Sequence, residues 1–186
     1  MIVCTAYTMD AFYVSASNRL RESCADVGLP LVEKHLHYVA GDVPRLRQFA
    51  YRELVQTLLE VLYFENEPVL LIGCDDYLKF RPVLPDEFLQ EYDVGIWRNP
   101  ELDEMQTHLH YAAQYIVNPT DAGRAFVHLV LHIMDTYLMN DHRAFHAARA
   151  LGYGLRYKEM HLDQYMQGCV CRTASCVQKQ TDASTE

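Results

Sequence analysis

Two rhythms of apolar and polar residues divide this chain. Ile2 to Tyr7, IVCTAY, is an almost unbroken apolar run and predicts a short buried strand. In SNRLRESCADVGL, Leu20, Cys24 and Val27 recur at helical spacing, and Gly28-Leu29-Pro30 is a stop signal. LVEKHLHYV alternates loosely and predicts a second strand. Asp42 then predicts a helix cap with Pro44 in the first turn, and Leu46, Phe49, Leu54, Leu58, Val61 and Leu62 form the apolar stripe of that helix. After a turn at Glu65 to Pro68, Val69 to Ile72 is apolar throughout, as expected of a strand covered on both faces.

The second half follows the same logic. RPVLPDEF predicts a loop and a short helix, YDVGIWRNP a strand closed by Asn-Pro, and HLHYAAQYIVNP another extended segment. Thr120 predicts the cap of a long helix with Ala122, Phe126, Leu129, Val130, Ile133, Met134 and Tyr137 facing inward. Asp141 starts a further helix that stops near Gly152 and Gly154, and MHLDQYMQ reads as a short helical piece. The order β-α-β-α-β, then mixed strands, then helices, predicts the α/β class. We expect a single Rossmann-like domain over residues 1–175, with a mainly parallel mixed sheet flanked by helices, and a polar tail at 176–186.

Composition narrows the function classes. A length of 186 residues suits one domain. The net charge of -9 repels phosphate backbones and disfavours nucleic-acid binding unless a local basic groove overrides it. No apolar run approaches the ~20 residues of a membrane span. The N-terminus carries no basic, cleavable leader pattern, and the scattered cysteines do not form a disulfide framework, so a cytoplasmic location is expected.

The chemistry concentrates at VLLIGCDDYLKFRP, where an apolar strand runs into Asp75 and Asp76. Ligands in open α/β sheets sit at the carboxyl ends of strands. Two carboxylates there suit Mg²⁺ or Mn²⁺, which bind few carboxylates and complete their shell with water and substrate phosphates. The structural alternative is an Asp-Asp turn that caps the next segment. Other motifs argue for less. His128 and His132 lack the Glu of a zincin helix, because Leu129 follows the first His. Cys169, Cys171 and Cys176 are poorly spaced for zinc. No Walker loop, GxGxxG or GxSxG is present, which disfavours P-loop kinases, classical dinucleotide enzymes and α/β-hydrolases.

An apolar strand ending in acids, with Pro82 six residues on, resembles the metal-binding DxD region of GT-A nucleotide-diphospho-sugar glycosyltransferases. IVCTAYT resembles the first nucleotide-binding strand of that family, and RLRQFAY occupies the place of its basic residue before the metal strand. AAQYIVNPTDAGRAFVHLVLHIM resembles its later strand-Asn-capped-helix segment, and HLDQYM its Asp-Gln near the acceptor. The resemblance runs from Ile2 to Gln167 and rests on the order of these segments. A strict Asp-x-Asp is absent: Gly73 or Cys74 stands where the family has its first acid.

The resemblance implies a GT-A-like enzyme moving a sugar from a nucleotide-diphosphate sugar to an acceptor hydroxyl, assisted by Mn²⁺ or Mg²⁺. It implies that Thr5, Ala6 and Tyr7 line the nucleoside pocket, with Tyr7 stacking on the base. Arg45 or Arg47 would approach the diphosphate, Asp75 and Asp76 would hold the metal, and Asp163 and Gln164 would face the acceptor and the sugar. Donor base, sugar and acceptor stay open. Two alternatives stand beside it: a degenerate domain of this type that binds a nucleotide or a partner without transfer, and a nucleotidyltransferase. The last requires a glycine-rich basic loop that TMDAFYVSASNRLR lacks.

Overall fold

The computed structural model describes residues 1–38, 44–84, 86–98, 111–152, 154–161 and 170–172. Five helices and eight strands are described. They are β1 (Ile2–Thr8), α1 (Ala11–Asp26), β2 (Leu31–Leu36), α2 (Pro44–Phe64), β3 (Val69–Leu71), β4 (Asp76–Leu78) and α3 (Asp86–Glu91), then β5 (Val94–Arg98), β6 (Tyr111–Val117), α4 (Asp121–Tyr137), α5 (Asp141–Leu151), β7 (Tyr157–His161) and β8 (Val170–Arg172). Six strands form one mixed sheet in the order β2-β1-β3-β6-β5-β7, and β4 pairs with β8 apart from it. β1 is parallel to β2 and β3, and β5 to β7, whereas β6 is antiparallel to both its neighbours. The sheet is therefore α/β and mixed, with β6 as its one reversed strand among those described.

The period-two pattern of the apolar strands decides which helix each residue meets. Ile2, Cys4, Val69, Leu71, Tyr115 and Val117 point to the face covered by α2, α4 and α5. Val3, Leu70, Ile72 and Ile116 point to the other face, where Leu20 and Cys24 of α1 and Phe88 of α3 close the core. Tyr115 stacks on Phe145 at 3.8 Å and locks α5 onto the sheet. Cys4, Cys24 and Cys74 are free, buried thiols, as their apolar surroundings predict.

The structure corrects several local expectations. Helix α1 begins at Ala11, six residues before the predicted SNRLR stretch, with Asp10 in an extended conformation at its head. Residues 11–16, AFYVSA, are rich in aromatic and β-branched types that mask a helical start. Phe49 and Tyr137, placed on apolar stripes by periodicity, are exposed. α5 does start at Asp141 as expected, with Asn140 as its cap, whose side chain accepts the Arg143 N–H at 3.0 Å. Met160 and His161, read as the start of a helical piece, belong to strand β7. The predicted cap Asp42 lies outside the described residues.

At the amino end of β5 a dense polar knot joins three elements. Asp93 is 1% exposed, and its Oδ1 accepts hydrogen bonds from Arg156 Nη2 at 2.9 Å and from Thr120 Oγ1 at 2.7 Å. Its Oδ2 accepts from Arg156 N at 3.0 Å and Arg156 Nε at 3.2 Å. Thr120 also accepts the Gly123 N–H and so caps α4, as the sequence predicts. Burial pushes the Asp93 carboxyl up, but the donors from Arg156 and Thr120 outweigh it and hold the group below the ordinary Asp range.

Candidate functional site

The order β2-β1-β3 makes the β1–β3 junction a topological switch point. The chain leaves β1 toward β2 on one side and returns through α2 to β3 on the other. In such sheets the crevice beyond the carboxyl ends of the strands takes the ligand. Here that lip is formed by Thr8 to Asp10, the first turn of α1, and the Gly73–Asp76 turn.

The acid pair does not continue β3. The strand ends at Leu71, and the Asp76 N–H donates to the Gly73 carbonyl at 3.1 Å, closing a four-residue turn. The turn brings both carboxylates back over Gly73. A Cβ at that position would lie 2.7 Å from Asp75 Oδ1 and 3.4 Å from Asp76 Oδ2. A side chain at 73 would displace the Asp75 carboxylate from this position, while the backbone of the turn itself would tolerate it. Cys74 is buried; burial, then Asp75 and Asp76, push its thiol far up, so it stays protonated.

The two acids differ in setting. Asp76 is 1% exposed, and its Oδ2 accepts from Gly73 N at 3.1 Å and from Gln114 Nε2 of β6 at 3.4 Å. Asp75 is half-buried and acts on two phenols from opposite layers of the fold. Burial raises Tyr13 of α1, with Cys74, Asp75, Tyr51 and Asp10 adding to it. Burial likewise raises Tyr51 of α2; Asp141 and Asp75 add to the shift, and the Arg47 charge opposes it. Both tyrosines thus stay protonated and keep an O–H to donate.

Asp141 lies within electrostatic reach of Tyr51, and sequence reasoning missed it as a site residue. Gln48 of α2 donates to the Met139 carbonyl and ties the α4–α5 loop to α2. Asp141 behind it is 2% exposed, and its Oδ1 has no hydrogen-bond partner among the described residues. Burial pushes its carboxyl above the ordinary range, against the opposing pull of the His142 ring and the first amides of α5. The available signal was an Asp directly behind an Asn that could cap the helix by itself.

The other predicted residues fall as follows. Arg45 and Arg47 are both exposed; Arg47 lies one turn before Tyr51 and acts on its phenol, whereas Arg45, two positions away, is on another face of α2. Thr5 and Tyr7 lie inside the sheet at 0% and 5% exposure, and Tyr7 Oη is 2.9 Å from His35 Nε2. Ala6 is partly buried against the α2 core. The exposed rings at this lip are instead Phe12 and Tyr13, in edge contact at 5.2 Å. Asp163 and Gln164 lie outside the described residues. Among the described residues, no group of three or more His, Cys, Asp or Glu side chains is close enough to hold a metal. The two acids at the Gly73–Asp76 turn offer carboxylate oxygens, hard donors of the kind that Mg²⁺ and Mn²⁺ take.

No protein-family model and no curated protein matches the sequence. Solved structures do. The fold is similar to that of a glycosyltransferase involved in the glycosylation of the major capsid of PBCV-1, with a TM-score of 0.62 and 11% identity, covering 87% of this chain and 83% of that one. It is also similar to the glycosyltransferase GlyE of Streptococcus pneumoniae TIGR4, with a TM-score of 0.55 and 12% identity. That match covers 86% of this chain and 44% of GlyE, so this chain spans less than half of that relative. Among the described residues no helix is long and apolar enough to cross a membrane.

Proposed function

We propose that this protein is a GT-A-type glycosyltransferase, moving a sugar from a nucleotide-diphosphate donor to an acceptor hydroxyl at the carboxyl lip of β1 and β3. The observation that carries this reading is the Gly73–Asp76 turn, which folds the carboxylates of Asp75 and Asp76 back over Gly73 at the β1–β3 switch point. Two solved glycosyltransferases that share the fold support it.

The roles follow from chemistry. Phe12 and Tyr13 offer ring faces to a base at the end of β1. Arg47 offers a guanidinium to the diphosphate, where its planar fork suits phosphate oxygens. Asp75 and Asp76 would hold Mn²⁺ or Mg²⁺ at the acid turn, and the ion would supply positive charge to offset that of the departing diphosphate. The acceptor oxygen attacks the anomeric carbon, the bond to the diphosphate oxygen breaks, and its electron pair leaves with the nucleotide. The acceptor proton passes to a carboxylate. Asp141 suits that task, because burial raises its affinity for a proton. Asp163 and Gln164 are the sequence's own candidates for the acceptor side.

The test is thermal stability with UDP, GDP and their sugars, with and without Mn²⁺. A bound nucleotide raises Tm by mass action. The reading fails if neither nucleotide stabilises the protein. Stabilisation without sugar transfer or hydrolysis favours a binding domain instead.

A further inference from the structure

We propose that Arg172, carried to the acid turn by strand β8, is a positioning residue: its positive charge offsets that of the buried Asp76 and makes this late strand part of the site. The inference goes beyond the glycosyltransferase reading and rests on it only for the choice of ligand in the last measurement.

Three observations carry it. The first is register. β8 pairs antiparallel with β4, apart from the six-stranded sheet, with Asp76 opposite Arg172, Tyr77 opposite Cys171 and Leu78 opposite Val170. Residues directly opposite in an antiparallel ladder share a face, so position 172 lies on the face of Asp76, where opposite charges stabilise the pair. The second is burial. Asp76 and Leu78 are 1% and 3% exposed, whereas Tyr77 between them is half-buried beneath Arg19, whose Cζ lies 4.2 Å from the ring centre. The Asp76 face of the ladder is therefore the inner one. β4 is fixed in that position by the Leu78 N–H, which donates to Ser23 Oγ of α1 at 3.0 Å. An ionised carboxylate taken that far from water is kept with a positive charge beside it. The third is how the chain treats its other buried aspartates. Asp93, as deeply buried, faces Arg156 at 2.9 Å and is held below the ordinary Asp range. Asp141, whose Oδ1 has no hydrogen-bond partner among the described residues, is pushed above it. Asp76 repeats the setting of Asp93: a buried acid met by an arginine from a segment far along the chain.

A double-mutant cycle on the full chain, read by Tm, tests the pairing. Arg172→Gln strands the Asp76 charge inside the fold and should lower Tm by about 5 °C or more. Adding Asp76→Asn removes the stranded charge and should raise Tm again, toward that of Asp76→Asn alone. Arg172→Lys keeps the charge and should hold most of the stability. The second readout is the affinity for UDP, and separately GDP, with Mn²⁺ present. Without its counter-charge the turn adds a negative charge where the diphosphate approaches. We expect about tenfold weaker nucleotide binding in Arg172→Gln, restored in Arg172→Lys. Losses of Tm that simply add in the double variant, or an Arg172→Lys as unstable as Arg172→Gln, overturn the pairing. Unchanged nucleotide affinity in a folded Arg172→Gln confines Arg172 to stability and overturns its place in the site. If the unaltered protein binds neither nucleotide, the glycosyltransferase reading fails, and the Tm cycle decides the pairing on its own.

Discussion

Two buried acids sit beside helix caps, and their surroundings shift them in opposite directions. Asp93, beneath the cap of α4, collects four hydrogen bonds from Arg156 and Thr120 and is held low. Asp141, in the first turn of α5, keeps an oxygen without a partner and is pushed high. Asp141 lies in the first turn of α5, where the helix dipole favours a carboxylate, yet it is the one held high, so the dipole does not separate them. The number and kind of donors does. At the amino end of β5 an acid is used to join β5, β7 and α4. At the carboxyl lip the acids stand among phenols, and polarity is kept for a ligand.

This comparison can be broken experimentally. The largest expected effect is on chemistry: Asp141→Asn should lower sugar transfer by roughly 100-fold. The same change should hold or raise Tm, because it removes a buried charge with an unmet oxygen. Equal loss of activity and Tm would show Asp141 to be structural. The converse change is Asp93→Ala, which strands the donors of Arg156 and Thr120. We expect it to cost about 2–3 kcal/mol, seen as a fall in Tm of ~5–10 °C, with transfer per folded molecule retained.

The two acids also predict opposite slopes of stability with pH. The folded pKa of Asp93 lies below its unfolded value, so its contribution is complete above that unfolded value. It is lost as pH falls through the folded one. The folded pKa of Asp141 lies above its unfolded value, so stability falls as pH rises from the unfolded value through the folded one. Denaturant titrations across the acid range should therefore show a shallower acid loss in Asp93→Ala and a flatter decline toward neutrality in Asp141→Asn. A smaller effect is expected at the turn itself. Gly73→Ala places a Cβ against Asp75 Oδ1 and should weaken nucleotide binding about tenfold with little change in Tm. Unchanged affinity would show that the Asp75 position is not critical. The smallest is Tyr51→Phe, which removes one O–H from the lip and should alter transfer only several-fold, about 1 kcal/mol.

Much of the fold was legible because strand and helix periods are local properties. The apolar runs at Ile2 and Val69 and the stripe of α4 each specify their own burial. The three-residue strands β4 and β8 were not legible, since their pairing joins distant segments without a long pattern of their own. Phe49 and Tyr137 misled, because periodicity assigns a face but not where the neighbouring element stops. In the site, Asp75 and Asp76 were readable as acids at a strand end, yet their convergence depends on the turn at Gly73. Asp141 was readable only as a helix start. Its burial arises from packing of the α4–α5 loop on α2, through Gln48 and Met139, 91 residues apart.

The Asp93 knot has a kinetic side. Its partner Arg156 lies 63 residues further along, after both α4 and α5. A contact of that span carries a large loop-closure cost, and we expect it to form late in the search for the native state, which folding and unfolding rates of Asp93→Ala would test. Contacts formed after the rate-limiting barrier leave refolding speed nearly untouched and govern how long the finished molecule persists. The knot is thus a clasp against opening, and its loss shortens the lifetime of the folded protein more than it slows the arrival there.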